Sequence, residues 1–266
     1  MRERIKALLD NLRLRGIAEH IEESLNDAEK YGKSVSETLL KLLEAEYRDQ
    51  QERSLANRIK NAKLPWNWTL DTFPFTQQPG INKTQIMGLA NLTFIERSEN
   101  IILIGKPGTG KSGIAMGLLR MALLNGYRGK FYNAQDLLNE LYASLADRTT
   151  SRLLISLCNY DLIIIDELGY LTLTSEQINI FFKLIDMRYQ KKSTIITTNL
   201  KFEAWYDVFK HKELVDAMLD RIKHHCTVIN IKGPSLRNPE AIIDSSSKSK
   251  KITKKHAVIN PEKHND

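Results

Sequence analysis

Eight consecutive residues, Gly105-Lys106-Pro107-Gly108-Thr109-Gly110-Lys111-Ser112, satisfy the pattern of a phosphate-binding loop in every specified position. The chemistry dictates those types. Glycines let the backbone turn so that successive N–H groups face phosphate oxygens. The helix that follows adds the positive end of its dipole. Lys111 reaches the β- and γ-phosphates, and the Ser112 hydroxyl faces Mg²⁺. Lys106, Pro107, Gly108 and Thr109 fill the variable positions of the same nucleotide-binding loop. ATP and Mg²⁺ are the cofactors this segment predicts.

A second element matches it. Leu162-Ile163-Ile164-Ile165-Asp166-Glu167 is an apolar strand that delivers two carboxylates at its carboxyl end, where open α/β sheets bind ligands. Asp166 is expected to hold Mg²⁺ together with Ser112. Glu167 can orient and deprotonate a water, so the pair favours hydrolysis over transfer to a chosen acceptor. Two further residues could complete the catalytic set with Lys111 and Glu167. Asn199, at the polar end of the strand-like run Ser193–Asn199, can sense the γ-phosphate and help place the water; the plainer reading is a strand-capping turn, for which Asn is well suited. Arg221, in Met218-Leu219-Asp220-Arg221-Ile222, can reach the γ-phosphate of a neighbouring copy, since a guanidinium matches phosphate geometry; otherwise it forms a surface ion pair.

Such residues work only if strands and helices bring them together. Apolar strands are expected at 101–104, 129–133, 162–166, 194–198 and 227–231, alternating with helices near 111–125, 135–146, 175–189 and 212–225. That alternation predicts an α/β fold, a five-stranded parallel sheet flanked by helices on both faces. Residues 1–63 read instead as a small all-helical domain. Ile5, Leu8, Leu9, Leu12 and then Ile17, Ile21, Leu25 recur at helical spacing, with Gly16 the expected break. Ser34 and Glu37 form a capping box that opens a helix with Val35, Leu39, Leu42, Leu43 and Tyr47 on one face. A module this small buries little core, so either partner binding or packing within the chain must cover that face. Residues 64–80 form an aromatic and proline-rich linker (Pro65, Trp66, Trp68, Phe73, Pro74, Phe75, Pro79). Its prolines argue against a helix or a central strand. The aromatics are expected to pin it onto a domain surface, with base stacking on Trp66 or Trp68 as the alternative. The ATPase domain then covers 81–237, and 238–266 read as a flexible basic tail.

Composition narrows the class. With 266 residues, 42% hydrophobic, 27% charged and 2 Cys, collagen-like, disulfide-scaffold and wholly disordered chains are excluded. No apolar run approaches a membrane span and the N-terminus shows no apolar signal segment, so a cytoplasmic protein without membrane contact is expected. The net charge of +7 permits a nucleic-acid partner, but more than half of the excess falls in residues 232–266, so charge alone locates no groove.

The motifs together resemble the IstB-like helper ATPases of bacterial insertion sequences, within the AAA+ class. The resemblance runs from residue 1 to about 237. It rests on Leu12-Arg13-Leu14-Arg15-Gly16-Ile17-Ala18, Leu70-Asp71-Thr72-Phe73, Glu99-Asn100, the phosphate loop, Asp166-Glu167-Leu168-Gly169-Tyr170-Leu171, Arg188-Tyr189, Ser193–Asn199 and Leu219-Asp220-Arg221-Ile222-Lys223-His224-His225. It implies an AAA+ core without a full C-terminal lid, in a bacterial protein that binds ATP and forms homo-oligomers on double-stranded DNA. Such a protein remodels the duplex and presents it to a partner transposase of the IstA-like type, with hydrolysis regulating assembly and Arg221 acting in trans. Arg237 stands, by position alone, where a second sensor arginine would fall. DnaC-like helicase loaders share the core and are the alternative. Loaders often carry an N-terminal cysteine cluster, and residues 1–157 contain no Cys. A nucleotide switch that barely hydrolyses is disfavoured by Glu167, and a small-molecule kinase by the lack of an acceptor pocket or mobile lid in the pattern. In AAA+ proteins that hold DNA the region after the second strand often faces it, which makes Arg148 and Arg152 the DNA-binding candidates, with Lys191, Lys192 and Lys201 as further possibilities. Binding that relied on phosphates would be salt-sensitive and weakly sequence-specific.

Overall fold

Helical periodicity at the N-terminus becomes three helices: α1 (Arg2–Asn11), α2 (Arg15–Tyr31) and α3 (Val35–Ala62). The structure, a computed structural model, describes residues 1–169, 171 and 173–237. Tyr170 of the Asp-Glu-Leu-Gly-Tyr run and the expected tail from Asn238 therefore lie outside the described residues. The chain divides into two compact units, Met1–Asn61 and a second that begins at Ala62.

Gly16 does not break the first helical stretch. The interruption falls at Leu12–Leu14, where Arg13 turns the chain at φ +59°, and Gly16 lies inside α2. Its missing side chain is needed for a different reason. A Cβ there would meet the Ala45 carbonyl oxygen at 2.6 Å and Glu46 Cα at 2.7 Å, so α3 crosses α2 against bare backbone. At that crossing the buried Glu46 accepts from Ile17 N at 3.2 Å, Gln50 Nε2 at 2.9 Å and Arg53 Nη2 at 3.2 Å. The Ser34–Glu37 capping box is formed: Ser34 N donates to Glu37 Oε2 at 2.9 Å and Glu37 N to Ser34 Oγ at 3.2 Å. Of the apolar face expected on this helix only Leu42 is buried; Val35, Leu39, Leu43 and Tyr47 are exposed.

The second unit holds a parallel sheet of β1 (Asn100–Gly105), β2 (Gly129–Asn133), β3 (Leu162–Asp166), β4 (Ser193–Thr198) and β5 (Cys226–Ile231) in the order β2-β3-β4-β1-β5. Each expected strand is present, its ends moved by at most one residue. Strands β1 and β3 are buried on both faces, which is why they read as unbroken apolar runs. The flanking helices are α4 (Lys83–Leu89), α5 (Thr93–Glu96), α6 (Lys111–Leu124), α7 (Ala134–Ala146), α8 (Thr150–Cys158), α9 (Ser175–Arg188), α10 (Trp205–Phe209) and α11 (Lys212–His224). The sequence reading ended a helix at 146, as α7 does, and placed none over α8. The two are divided at Arg148, which takes φ +56°.

Two internal ties join the amino-terminal ends of the central strands β3, β4 and β1. Buried Arg188 at the end of α9 donates to the carbonyls of Leu157, Tyr160 and Ser193, at 2.8, 2.9 and 2.5 Å. Burial holds its pKa down to about 10. Asn100 binds the next strand on, accepting from Thr194 N at 2.9 Å. The linker region carries only a short 3₁₀ turn, Phe75–Gln77, as its prolines require.

Candidate nucleotide-binding site

Strand order decides which residues meet. Because β4 lies between β3 and β1, the carboxyl ends of these strands place Asp166, Thr197–Asn199 and the phosphate loop side by side. The loop closes between β1 and α6, with Gly108 at φ +79° and Gly110 at φ +91°, conformations that L side chains rarely adopt. Lys111, only 9% exposed, donates from Nζ to the loop's own carbonyls at Gly105 (2.8 Å) and Lys106 (2.9 Å). An ammonium has three donors, so one remains for a ligand. Burial lowers the Lys111 pKa first of all; the charges of Asp166 and Glu167 oppose that and Arg237 adds to it. Thr109 Oγ1 donates to Lys106 O at 2.8 Å, which folds the variable part of the loop.

Ser112 and Asp166 meet directly, Ser112 Oγ donating to Asp166 Oδ1 at 2.8 Å. Thr197 Oγ1 donates to the same oxygen at 2.5 Å. Among the described residues Asp166 Oδ2 accepts no hydrogen bond. A hydroxyl beside a carboxylate with a spare oxygen is a hard, all-oxygen donor pair of the kind that suits Mg²⁺. Burial raises the Asp166 pKa and Glu167 raises it further, while the two hydroxyl donors and Lys111 pull it down. Glu167 is exposed, with φ +62°, a backbone strain of about 1–3 kcal/mol of the sort that collects at functional sites. Its N–H is fixed by Thr197 Oγ1 at 2.9 Å and its Oε2 accepts from Asn133 Nδ2 at 3.3 Å. Asn199, half-buried, lines the same cavity. The local turn bond after β4 is made by Thr198, whose Oγ1 accepts from Leu200 N at 3.0 Å, so the turn does not depend on the Asn199 side chain.

These groups line a cavity of about 740 Å³. Its lining combines Pro107, Gly108, Gly110, Lys111, Ser112, Glu167 and Asn199 with the apolar Trp66, Trp68, Met116 and Leu236, and with Arg237. The linker aromatics thus divide their labour. Phe73 is buried against the loop, close enough that a Cβ on Gly110 would lie 2.7 Å from its ring. Trp66, 57% exposed, and Trp68 face the cavity instead.

Three contributors were not legible in the sequence. Gln78, fully buried, donates from Nε2 to Thr109 O at 3.1 Å and to Pro234 O at 2.9 Å, tying the loop to both the linker and the segment after β5. Thr197 and Asn133 reach Asp166 and Glu167 only through strand register. An invariant local spacing does not exist for any of them, because each acts across the sheet or between chain ends.

Arg221 does not join this cavity. Its Nε donates to Asp186 Oδ1 at 2.7 Å and its Nη1 to Ala217 O at 3.0 Å. Arg148 and Arg152 are exposed and line no part of the cavity. Lys191 and Lys201 are exposed as well, whereas Lys192 pairs with Asp161 at 2.6 Å. Among the described residues no helix is long and apolar enough to cross a membrane.

Residues 7–242 match the family described as IstB-like ATP binding protein. The chain belongs to that family. An insertion sequence IS21 ATP-binding protein of Pseudomonas aeruginosa is 38% identical over 236 residues, 89% of each chain. An IS5376 ATP-binding protein of Geobacillus stearothermophilus is 38% identical over 237 residues, 89% of this chain and 94% of its own. Among solved structures, the DnaC helicase loader is similar with a TM-score of 0.53 and 25% identity, over 64% of this chain and 100% of that one. AMPPCP-bound DnaA from Aquifex aeolicus matches 70% of this chain and 56% of its own at 20% identity and TM-score 0.53, a likeness of fold. The IstB-like chain therefore carries the parallel α/β core that the strand pattern predicts, of the AAA+ class that the resemblance implies.

Proposed function

We propose that this IstB-like protein is an Mg²⁺-dependent ATPase that assembles on duplex DNA and presents it to an insertion-sequence transposase. The observation that carries the catalytic part is the meeting of Lys111, Ser112–Asp166, Glu167 and Asn199 around one cavity at the carboxyl edge of the sheet. Lys111 and the loop N–H groups neutralise and orient the phosphates. Ser112 and Asp166 hold the metal, which when bound shields charge on the β- and γ-phosphates. Glu167, its backbone held by Thr197, accepts the proton of the attacking water, and Asn199 faces the γ-phosphate. Trp66, Trp68 and Met116 offer the base an apolar, aromatic wall. The catalytic constellation is completed by Arg221 of a neighbouring copy, which makes turnover depend on assembly.

DNA and transposase enter through the relatives, which are named as insertion-sequence proteins and align over nearly the whole chain. Arg148 and Arg152, exposed around the α7–α8 break, are the proposed phosphate contacts. The likeness to the helicase loader, which is matched over its full chain, favours loading of a helicase as the second reading. ATP turnover and oligomer size, each with and without random-sequence duplex, separate the two. A large species that forms only with ATP and duplex, with faster turnover, supports the transposition helper; indifference to duplex supports the loader. Glu167→Gln should bind ATP, lose turnover by roughly 10²–10⁴-fold and accumulate the DNA-bound oligomer. Normal turnover in that variant removes Glu167 as the base.

A further inference from the structure

Arg221 is held unusually well for a side chain that lines no part of its own chain's nucleotide cavity. Helices α9 and α11 face each other along matched stripes. Phe182 and Asp186 lie one turn apart on α9 with Tyr189 just past its end, and Ala217, Arg221 and His224 are spaced likewise on α11. Asp186 Oδ1 accepts from Arg221 Nε at 2.7 Å, Ala217 O accepts from Nη1 at 3.0 Å, and the guanidinium carbon sits 5.0 Å from the centre of the Phe182 ring. One turn further, Tyr189 Oη and His224 Nδ1 are 3.1 Å apart.

The pattern of contacts differs from that of a pair built for stability. An arginine paired with a carboxylate for strength uses two parallel N–H···O bonds. Here the carboxylate takes only Nε, and Nη2 has no hydrogen-bond partner among the described residues. The side chain is 29% exposed and that of Asp186 49%, so the ion pair is screened and by itself worth little. What the three contacts do achieve is order. An arginine has a large rotamer entropy to lose. Fixing one edge of the fork and stacking its face removes most of that freedom while leaving the other edge able to bind.

We propose that Asp186 and Phe182 are positioning residues that hold the Arg221 guanidinium ready for the terminal phosphate of a nucleotide bound to a second copy of this chain. The inference rests on the reading of Arg221 as an in-trans group. Neither residue lines the cavity of its own chain; Asp186 meets Arg221 directly, and Phe182 meets it while also packing against the core.

The test uses the full chain with ATP, Mg²⁺ and duplex DNA. Asp186→Ala and Phe182→Leu should bind a fluorescent ATP analogue as the native protein does, with KM little changed and kcat reduced between about tenfold and a hundredfold, the usual consequence of a misplaced catalytic group. Asp186 is half-exposed, so its variant keeps the test alive if Phe182→Leu fails to fold. A defect confined to positioning Arg221 is also rescued in trans. Asp186→Ala has an intact Glu167, and Glu167→Gln has an intact Arg221, so mixing the two should restore turnover well above the sum of the separate samples. A merely structural lesion gains nothing from mixing. Native turnover in both variants while Arg221→Ala is inactive overturns this inference and leaves the in-trans reading standing. Native turnover in Arg221→Ala overturns both. A rise in kcat in Asp186→Ala would show that Asp186 restrains the arginine, and would also overturn the proposal.

Discussion

The two units of the chain reach a folded state by different physics. The first, Met1–Asn61, has few buried apolar residues, among them Ile17, Leu42 and Ala45, and turns much of its apolar sequence outward. Its helices are laced by exposed ion pairs such as Lys6–Glu22 at 2.7 Å and Arg2–Glu29 at 3.1 Å, contacts that are individually weak in water. One buried carboxylate, Glu46, makes three hydrogen bonds where two helices cross. In the second unit the inner strands β1, β3 and β4 are buried, and buried polar residues serve both ends of the sheet: Lys111, Asp166 and Thr197 at the carboxyl end beside the cavity, Arg188, Ser193 and Thr194 at the amino end. Burying a polar group costs free energy unless it is paired. The first unit accepts that cost to fix a helix crossing, and the second both to tie its strands and to furnish the candidate site.

Substitutions can break this contrast. The largest effect is expected from Lys111→Ala. Losing the buried ammonium should weaken ATP binding roughly a hundredfold or more, the loss of about 3 kcal/mol of charge-assisted bonding. Titration with a fluorescent nucleotide measures it, and retained affinity would remove Lys111 from the site. Glu46→Ala should next destabilise the first unit by about 1–3 kcal/mol, since it strips the partner from Ile17 N and from Gln50. Hydrogen exchange should then quicken in residues 1–61 with ATP affinity unchanged; a loss of ATP affinity would contradict the separation of roles.

Asp166→Asn sharpens the comparison, because it should impair function and strengthen the fold together. Burial raises the Asp166 pKa, so its protonated form is favoured in the native state. That contribution is fully present below the unfolded pKa, near 4, and is lost as pH rises through the higher folded value. At pH 8 the native state therefore carries an unfavourable buried charge. Asn keeps an oxygen that can accept from Ser112 and Thr197 without that charge. Without nucleotide, Tm should rise by about 2–4 °C at pH 8, for a gain near 1 kcal/mol, and the gain should vanish near pH 4. Mg²⁺-dependent turnover should fall in the same variant. An unchanged Tm across that range would mean that the carboxylate is adequately solvated. The smallest effect belongs to Lys6→Ala, which removes a fully exposed pair and should leave the melting curve unchanged.

How much of this was readable beforehand depends on how local each requirement is. The phosphate loop needs particular types at adjacent positions, so it stands out in any sequence. The strands at 101–104 and 162–166 were equally plain, because burial on both faces demands an unbroken apolar run. Gly16 shows the opposite case. Local rules read it as a helix breaker, yet it is helical, and its smallness answers to the backbone of Ala45 and Glu46. The exposed Leu39, Leu43 and Tyr47 show that helical periodicity identifies a face without saying that anything covers it.

The chain's own order of residues determined the phosphate-loop pattern, which lysine and which hydroxyl that loop presents, and which strand carries the two acids, because those are demands of bond length and backbone turn within a few residues. Only the tertiary structure decided which side chains support them. Thr197 reaches Asp166 because β4 lies beside β3, and Gln78 clasps Thr109 and Pro234 because two distant segments cross the loop. Trp66 and Trp68 part company with Phe73 for a similar reason, and Asp186 meets Arg221 because one helix stripe faces another. Those contacts depend on strand order and helix facing, which are set by how the whole core packs and leave no signature in local spacing.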